Sequence, residues 1–144
     1  MTTVPEINAR LKAMQAAAPA GVQAAAGAMG LLLETGVKVN ELRRYSHAKG
    51  TPTPSPPGEP PALITGDLRR SIRLFPGPVY GPRSSVVVGG TTVYARIHEL
   101  SGWAGKDHRS FLPKRPYVQP ALDVFADRLR PIMIDAWKGA LPGG

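Results

Sequence analysis

Three histidines, His47, His98 and His108, are the side chains of this sequence best suited to proton transfer or metal binding near neutral pH, and Glu99 and Asp107 are the acids beside them. A zinc hydrolase needs ligands at a set spacing, such as two histidines one helical turn apart with a glutamate between them. Read on a strand, His98 and Glu99 point to opposite faces, so this pair predicts no metal centre. No Gly-x-Ser-x-Gly elbow presents a serine nucleophile, and neither Ser46 nor Ser101 falls in a strand–turn–helix frame. A glycine-rich phosphate loop closed by Lys-Ser or Lys-Thr is missing too. Asp123 and Asp127 lie one turn apart among basic neighbours, the pattern of solvated helix acids rather than a general acid–base pair. The chain has no cysteine, which excludes disulfides, iron–sulfur clusters and cysteine-ligated zinc. The expectation is a protein that is not an enzyme and holds no metal or cofactor.

Binding is the chemistry that remains. The 144 residues carry a formal charge of +8, which makes a polyanion the first partner to test. The excess is spread along the chain and forms no dedicated basic arm. Its densest stretch is Lys106–Tyr117, where Phe111 and Tyr117 alternate with Lys106, Arg109, Lys114 and Arg115. Such interleaving either contacts phosphates and stacks bases or forms a solvated loop anchored by its aromatics. Trp103 has the same two readings, a packing anchor or an interface hot spot.

These residues need elements to position them. Residues 1–48 read as an Ala-rich helix, with Ile7, Leu11, Met14, Ala18, Val22, Ala25, Met29, Leu32 and Leu33 recurring every three or four positions. Pro19 and Gly21 predict a kink or break near 18–21, or else two shorter helices. Residues 49–62 form a Pro/Gly-rich segment, eight of the twelve residues from Gly50 to Pro61 being Gly or Pro. This is either a surface linker or a polyproline-type arm that orders only against a neighbour. Residues 63–144 read as a sheet plus a final helix. Leu68–Phe75, Ser85–Val88 and Thr91–Ile97 are the predicted strands, with Gly89-Gly90 as a hairpin turn. A second apolar stripe, Val118, Leu122, Phe125, Leu129 and Trp137, marks a helix begun by Pro120, strained by Pro131 and ended before Gly139, with Pro142–Gly144 as a frayed end. The fold class predicted is α+β: a small antiparallel sheet of three to four strands with a long N-terminal and a C-terminal helix packed on it. No run of about 18 apolar residues is expected to span a bilayer, and Met1–Asn8 lacks the features of a signal peptide.

Three short motifs occur in order: Thr65-Gly-x-Leu-Arg-x-Ser71, Tyr94-Ala-x-x-x-Glu99 and Arg115-Pro-Tyr-x-x-Pro-Ala121. Together they resemble the head–tail connector, or tail-completion, proteins of long-tailed bacteriophages, also labelled minor tail or neck proteins. The matching positions are Thr65, Gly66, Leu68, Arg69, Ser71, Tyr94, Ala95, Glu99, Arg115, Pro116, Pro120 and Ala121. The resemblance covers residues 57 to about 137; the long proline segment and an enlarged Ser101–Leu112 loop depart from it. It implies a structural virion protein of the neck or tail top, assembled in the host cytoplasm. Its partners would be copies of itself in a ring and neighbouring connector and tail proteins, with non-specific contact to channel DNA through Lys106, Arg109, Lys114, Arg115 or Trp103. A basic DNA-binding accessory protein is the alternative. Physically, Gly66 suits a positive φ, Thr65 a cap, Tyr94 a buried ring with a bonded hydroxyl, and Glu99 an ion pair with Arg69 or Arg115.

Overall fold

Thr3 and Glu6 stand three residues apart at the start of an apolar, Ala-rich run, the spacing of a capping box. In the computed structural model, which describes residues 3–51 and 55–140, the Thr3 N–H donates to Glu6 Oε2 at 2.7 Å. That bond holds the Glu6 carboxyl below the usual carboxylate range. Helix α1 then runs Val4–Gly36 without interruption. Pro19 lies inside it, so neither the expected break near 18–21 nor two separate helices forms. The helix is free of charge from Ala13 to Leu33, and an 18-residue stretch of it with mean hydropathy 1.4 makes it long and apolar enough to cross a membrane by length and composition. The expectation of no such run is corrected here: interspersed Gln, Gly and Pro hide a stretch that lacks any charged residue.

Past Gly36 the chain widens into a π-helical turn, Val37–Glu41, closed by the Leu42 N–H on the Val37 carbonyl at 2.9 Å. The elements that follow are α2 (Asp67–Ser71), β1 (Ile72–Tyr80), β2 (Arg83–Gly90), α3 (Ala95–Leu100), β3 (Gly102–Ala104), β4 (Ser110–Leu112) and α4 (Val118–Ala140). The class is α+β, but the strands form two two-stranded sheets, β1–β2 and β3–β4, rather than one of three to four strands. β3 and β4 are antiparallel, with Trp103 opposite Phe111.

Local chemistry explains each difference. Leu68–Ser71 is helical because Gly66 turns the chain at φ 78° and starts α2, so β1 begins only at Ile72. Strand β1 continues through Pro76 and Pro78, because a two-stranded ribbon leaves each strand an outer edge where a missing N–H is tolerated. The β1–β2 turn is Gly81-Pro82, with Gly81 at φ 54°. Gly90 instead ends β2, where a Cβ would stand 2.7 Å from that of Ala95. Thr91–Ile97 is β-branched enough to read as a strand, yet Ala95–Leu100 is helix α3, with Tyr94 at its N-cap. Helix α4 continues past Gly139 to Ala140. The predicted frayed end at Pro142–Gly144 and residues 52–54 of the proline segment lie outside the described residues.

The chain divides into two compact units. Unit 1 is Met1–Gly30, Phe75–Val87 and Asp127–Gly144; unit 2 is Leu31–Leu74 and Val88–Ala126. Unit 2 holds a core of Val37, Leu42, Leu68, Ile72, Ala95, Tyr117 and Ala121. Phe125 lies against Gly36 so closely that a Cβ there would fall 2.1 Å from the ring. The described part of the proline segment is packed here rather than extended as an arm. Ser55, Pro60 and Pro61 are buried, the Gly58 N–H donates to the Lys114 carbonyl at 2.8 Å, and Glu59 pairs with Arg44 at 3.2 Å. In unit 1, α1 and α4 meet where the Trp137 ring lies over Gly21, 3.0 Å from the place of a Cβ.

Candidate functional site

The first motif is a rigid turn leading into a short helix. Thr65 Oγ1 donates to Asp67 Oδ2 at 2.6 Å and accepts the Asp67 N–H at 3.3 Å, while Arg70 pairs with Asp67 Oδ1 at 2.6 Å. The Thr65 hydroxyl and the Arg70 guanidinium hold the Asp67 carboxyl below its ordinary range. Leu68 points into the core, and Arg69 donates its Nε–H to the Lys38 carbonyl in the π-helical turn at 2.9 Å. The Ser71 hydroxyl closes α2 on the Leu68 carbonyl at 2.7 Å, and the Ser71 carbonyl accepts the Thr91 N–H at 3.2 Å.

The second and third motifs lock together. Glu99, on α3, accepts the N–H groups of Tyr117 (2.8 Å) and Val118 (3.1 Å) on Oε2 and that of Gln119 (3.1 Å) on Oε1. A carboxylate here satisfies three donors at the N-terminus of α4 and faces the positive end of its dipole. The expected Glu99 ion pair with Arg69 or Arg115 is replaced by this backbone cap. Tyr117, not Tyr94, is the buried ring with a bonded hydroxyl: it donates to the Ala95 carbonyl at 3.1 Å. Burial, with the nearby Glu99 charge, pushes the Tyr117 hydroxyl up to about 12. Tyr94 is 38% exposed and meets the His98 ring edge-on at 5.8 Å. Pro116 leads into the turn, Pro120 occupies the first turn of α4 where its missing N–H costs nothing, and Ala121 is fully buried.

Six of the twelve motif residues, Thr65, Gly66, Leu68, Arg69, Tyr94 and Arg115, line one cavity of about 270 Å³ in unit 2. Leu42, Leu63 and His98 complete its working surface. Ser71, Ala95, Glu99, Pro116, Pro120 and Ala121 stand behind the wall and position it. His98 is on a helix, not on a strand, and its carbonyl accepts the Arg115 N–H at 2.7 Å. Burial and the Arg115 charge depress the His98 pKa, so its ring stays neutral at pH 7. His98 drew attention in the sequence only as a metal or proton-transfer candidate and Leu42 not at all, since no spacing rule links either to Arg115. Tyr117 was signalled only as the aromatic of its motif.

The basic stretch 106–117 does not act as one patch. Arg115 turns to the cavity, whereas Lys106, Arg109 and Lys114 are exposed, with Arg109 4.0 Å from Asp107. Trp103 and Phe111 face each other across β3–β4 with ring centroids 5.4 Å apart, and both remain more than half exposed. Among the described residues no three His, Asp or Glu side chains gather as a metal set. Unit 1 has a wider groove of about 620 Å³, lined chiefly by Val22, Ala25, Met29, Met133 and Trp137. No family model, curated protein or solved structure matches this chain.

Proposed function

We propose that this chain is a structural protein of the phage neck or tail top, a subunit of a ring that helps join a DNA-filled head to a tail. The observation that carries the reading is that the second and third resemblance motifs lock together through the Glu99 cap of α4, while residues of all three motifs border one cavity. Every bonded motif side chain has a positioning role, as the parts of a subunit interface require. The reading includes no turnover and no cofactor. Deleting the gene should leave filled heads and finished tails unjoined in the lysate, as seen by electron microscopy. Empty capsids, or arrest of DNA synthesis, would refute it.

A second reading, a DNA-binding accessory protein, is favoured by the β3–β4 hairpin, which exposes the Trp103–Phe111 pair beside Lys106 and Arg109. It requires duplex affinity that falls steeply with salt, and Lys106, Arg109 and Lys114 changed together to Ser should flatten that slope by about 0.9 for each phosphate no longer neutralised. An unchanged slope removes this reading and leaves the first intact.

A further inference from the structure

Arg115 is half-buried, and its guanidinium has no hydrogen-bond or ion-pair partner among the described residues; Nε is sealed from water without an acceptor. A guanidinium N–H sealed from water is ordinarily hydrogen-bonded, because without an acceptor it loses the bond that water gave it. The same cavity holds a second guanidinium, Arg69, fixed by its Nε bond to the Lys38 carbonyl. Its single acid, Asp67, is already engaged by Thr65 and Arg70. The rest of the lining is chiefly apolar, from Leu42, Leu63, Ile64 and Leu68, with Thr65, Tyr94 and His98 as its polar members. The cavity thus joins an excess of positive charge to an aliphatic lining.

We propose that this cavity receives an aspartate or glutamate flanked by aliphatic residues, carried on a segment of a different, acidic protein of the assembly. The neck reading supplies the idea of an assembly partner, and the inference rests on it. The volume, about 270 Å³, admits a few side chains rather than a whole helix. An aliphatic wall disfavours a nucleic-acid backbone, which would bring sugar and phosphate and leave the leucines unmatched. A second copy is disfavoured by the chain's own charge of +8, which sets like against like at a cationic pocket. Arg115 presents the planar fork that suits a carboxylate, and Arg69 adds charge from a fixed position.

The full chain, ¹⁵N-labelled, is titrated with the blocked peptides acetyl-Leu-Glu-Leu-amide and acetyl-Leu-Gln-Leu-amide, and with a short DNA duplex. The Glu peptide should shift the Arg115 Nε–H and His98 signals. It should bind about tenfold or more tightly than the Gln peptide, the ratio expected when a charge-assisted bond is lost. Arg115→Met should abolish that preference and raise the melting temperature of the free chain, since it removes a buried Nε–H that has no acceptor. Equal binding of the two peptides, no shift at millimolar peptide, a stronger response to DNA, or self-association abolished by Arg115→Met would each overturn the proposal. So would an Arg115→Met chain that melts lower or does not fold, because Arg115 would then be a structural residue. Phage carrying Arg115→Met should fail to join heads to tails. Normal joining defeats this site and spares the neck reading, whereas absence of the chain from the neck defeats that reading whatever the peptides do.

Discussion

Val37, Ile72 and Ala121 in unit 2 are completely sealed, whereas the buried positions described in unit 1 are Gly21, Ala25, Ala26 and Gly30, all on α1. Burying an isoleucine contributes roughly 1.5–3 kcal/mol and burying an alanine or glycine far less, so the two units are held by very different forces. Each unit holds one long-helix start by a carboxylate, Glu99 for α4 in unit 2 and Glu6 for α1 in unit 1. Unit 1 leaves Val4, Ile7, Leu11 and Met14 exposed in a stripe along the first turns of α1. A helix of such composition gains little stability alone and depends on a packed face. The contrast separates a unit stabilised by its own core from one that leaves much of its apolar surface exposed.

The sharpest test of that contrast pairs a large side chain from each unit. Ile72→Ala should cost about 4 kcal/mol, by lost transfer energy and the cavity left behind, while Met29→Ala on the open groove should cost about 1 kcal/mol or less. Urea unfolding of each variant decides it, and equal losses would erase the distinction between the units. Next in size is Glu99→Ala, which strands three N–H donors at the start of α4 and should cost about 2–3 kcal/mol. Glu99→Gln keeps one acceptor oxygen and should lose about half as much. A neutral outcome for both would mean that water replaces the cap.

Glu41 sharpens the comparison from the other side, because it is a defect inside the better-built unit. Its carboxylate is buried at the end of the π-helical turn with Oε2 unbonded, and burial pushes its pKa up, against the pull of Arg44 and with the push of Glu59. A carboxyl whose folded pKa is raised binds its proton more tightly when folded, so stability falls as pH rises from the ordinary carboxylate range through the folded value. Glu41→Gln should therefore raise the melting temperature at pH 7, and the gain should vanish below about pH 4. A gain that persists in acid would assign the effect to packing instead of charge. The smallest effect is expected from Leu11→Gln on the exposed stripe: within about 0.5 kcal/mol for the isolated chain, by the same urea measurement. A larger loss would show that the stripe is covered in solution.

The motif residues were recognisable as a set, but their chemistry was not. Tyr94 and Tyr117 are both aromatic positions in short motifs, and nothing in their spacing tells which ring is inside; Ala95 decides it by offering its carbonyl to Tyr117. Glu99 read as half of an ion pair because arginines are the natural partners of an acid in a linear text. Its actual partners are backbone N–H groups, which carry no letter. The strand expected at Thr91–Ile97 failed for a related reason: β-branched Thr91, Thr92 and Val93 outvoted Ala95–Leu100, yet Val93 is almost wholly exposed and Ala95, on the helix, is the residue that enters the core.

Composition and periodicity alone determined the two long helices, since charge-free alanine runs and an apolar stripe at helical spacing have few other low-energy forms. The positive φ at Gly66 was legible too, because a left-handed turn position admits little but glycine. Tertiary structure decided that the strands part into two small sheets, that the proline segment at 55–61 packs down, and that Arg69 and Arg115 border one cavity. Those outcomes depend on contacts between residues dozens of positions apart. Such contacts are selected by which surfaces can be desolvated together, a property of the assembled chain that no local window of sequence contains.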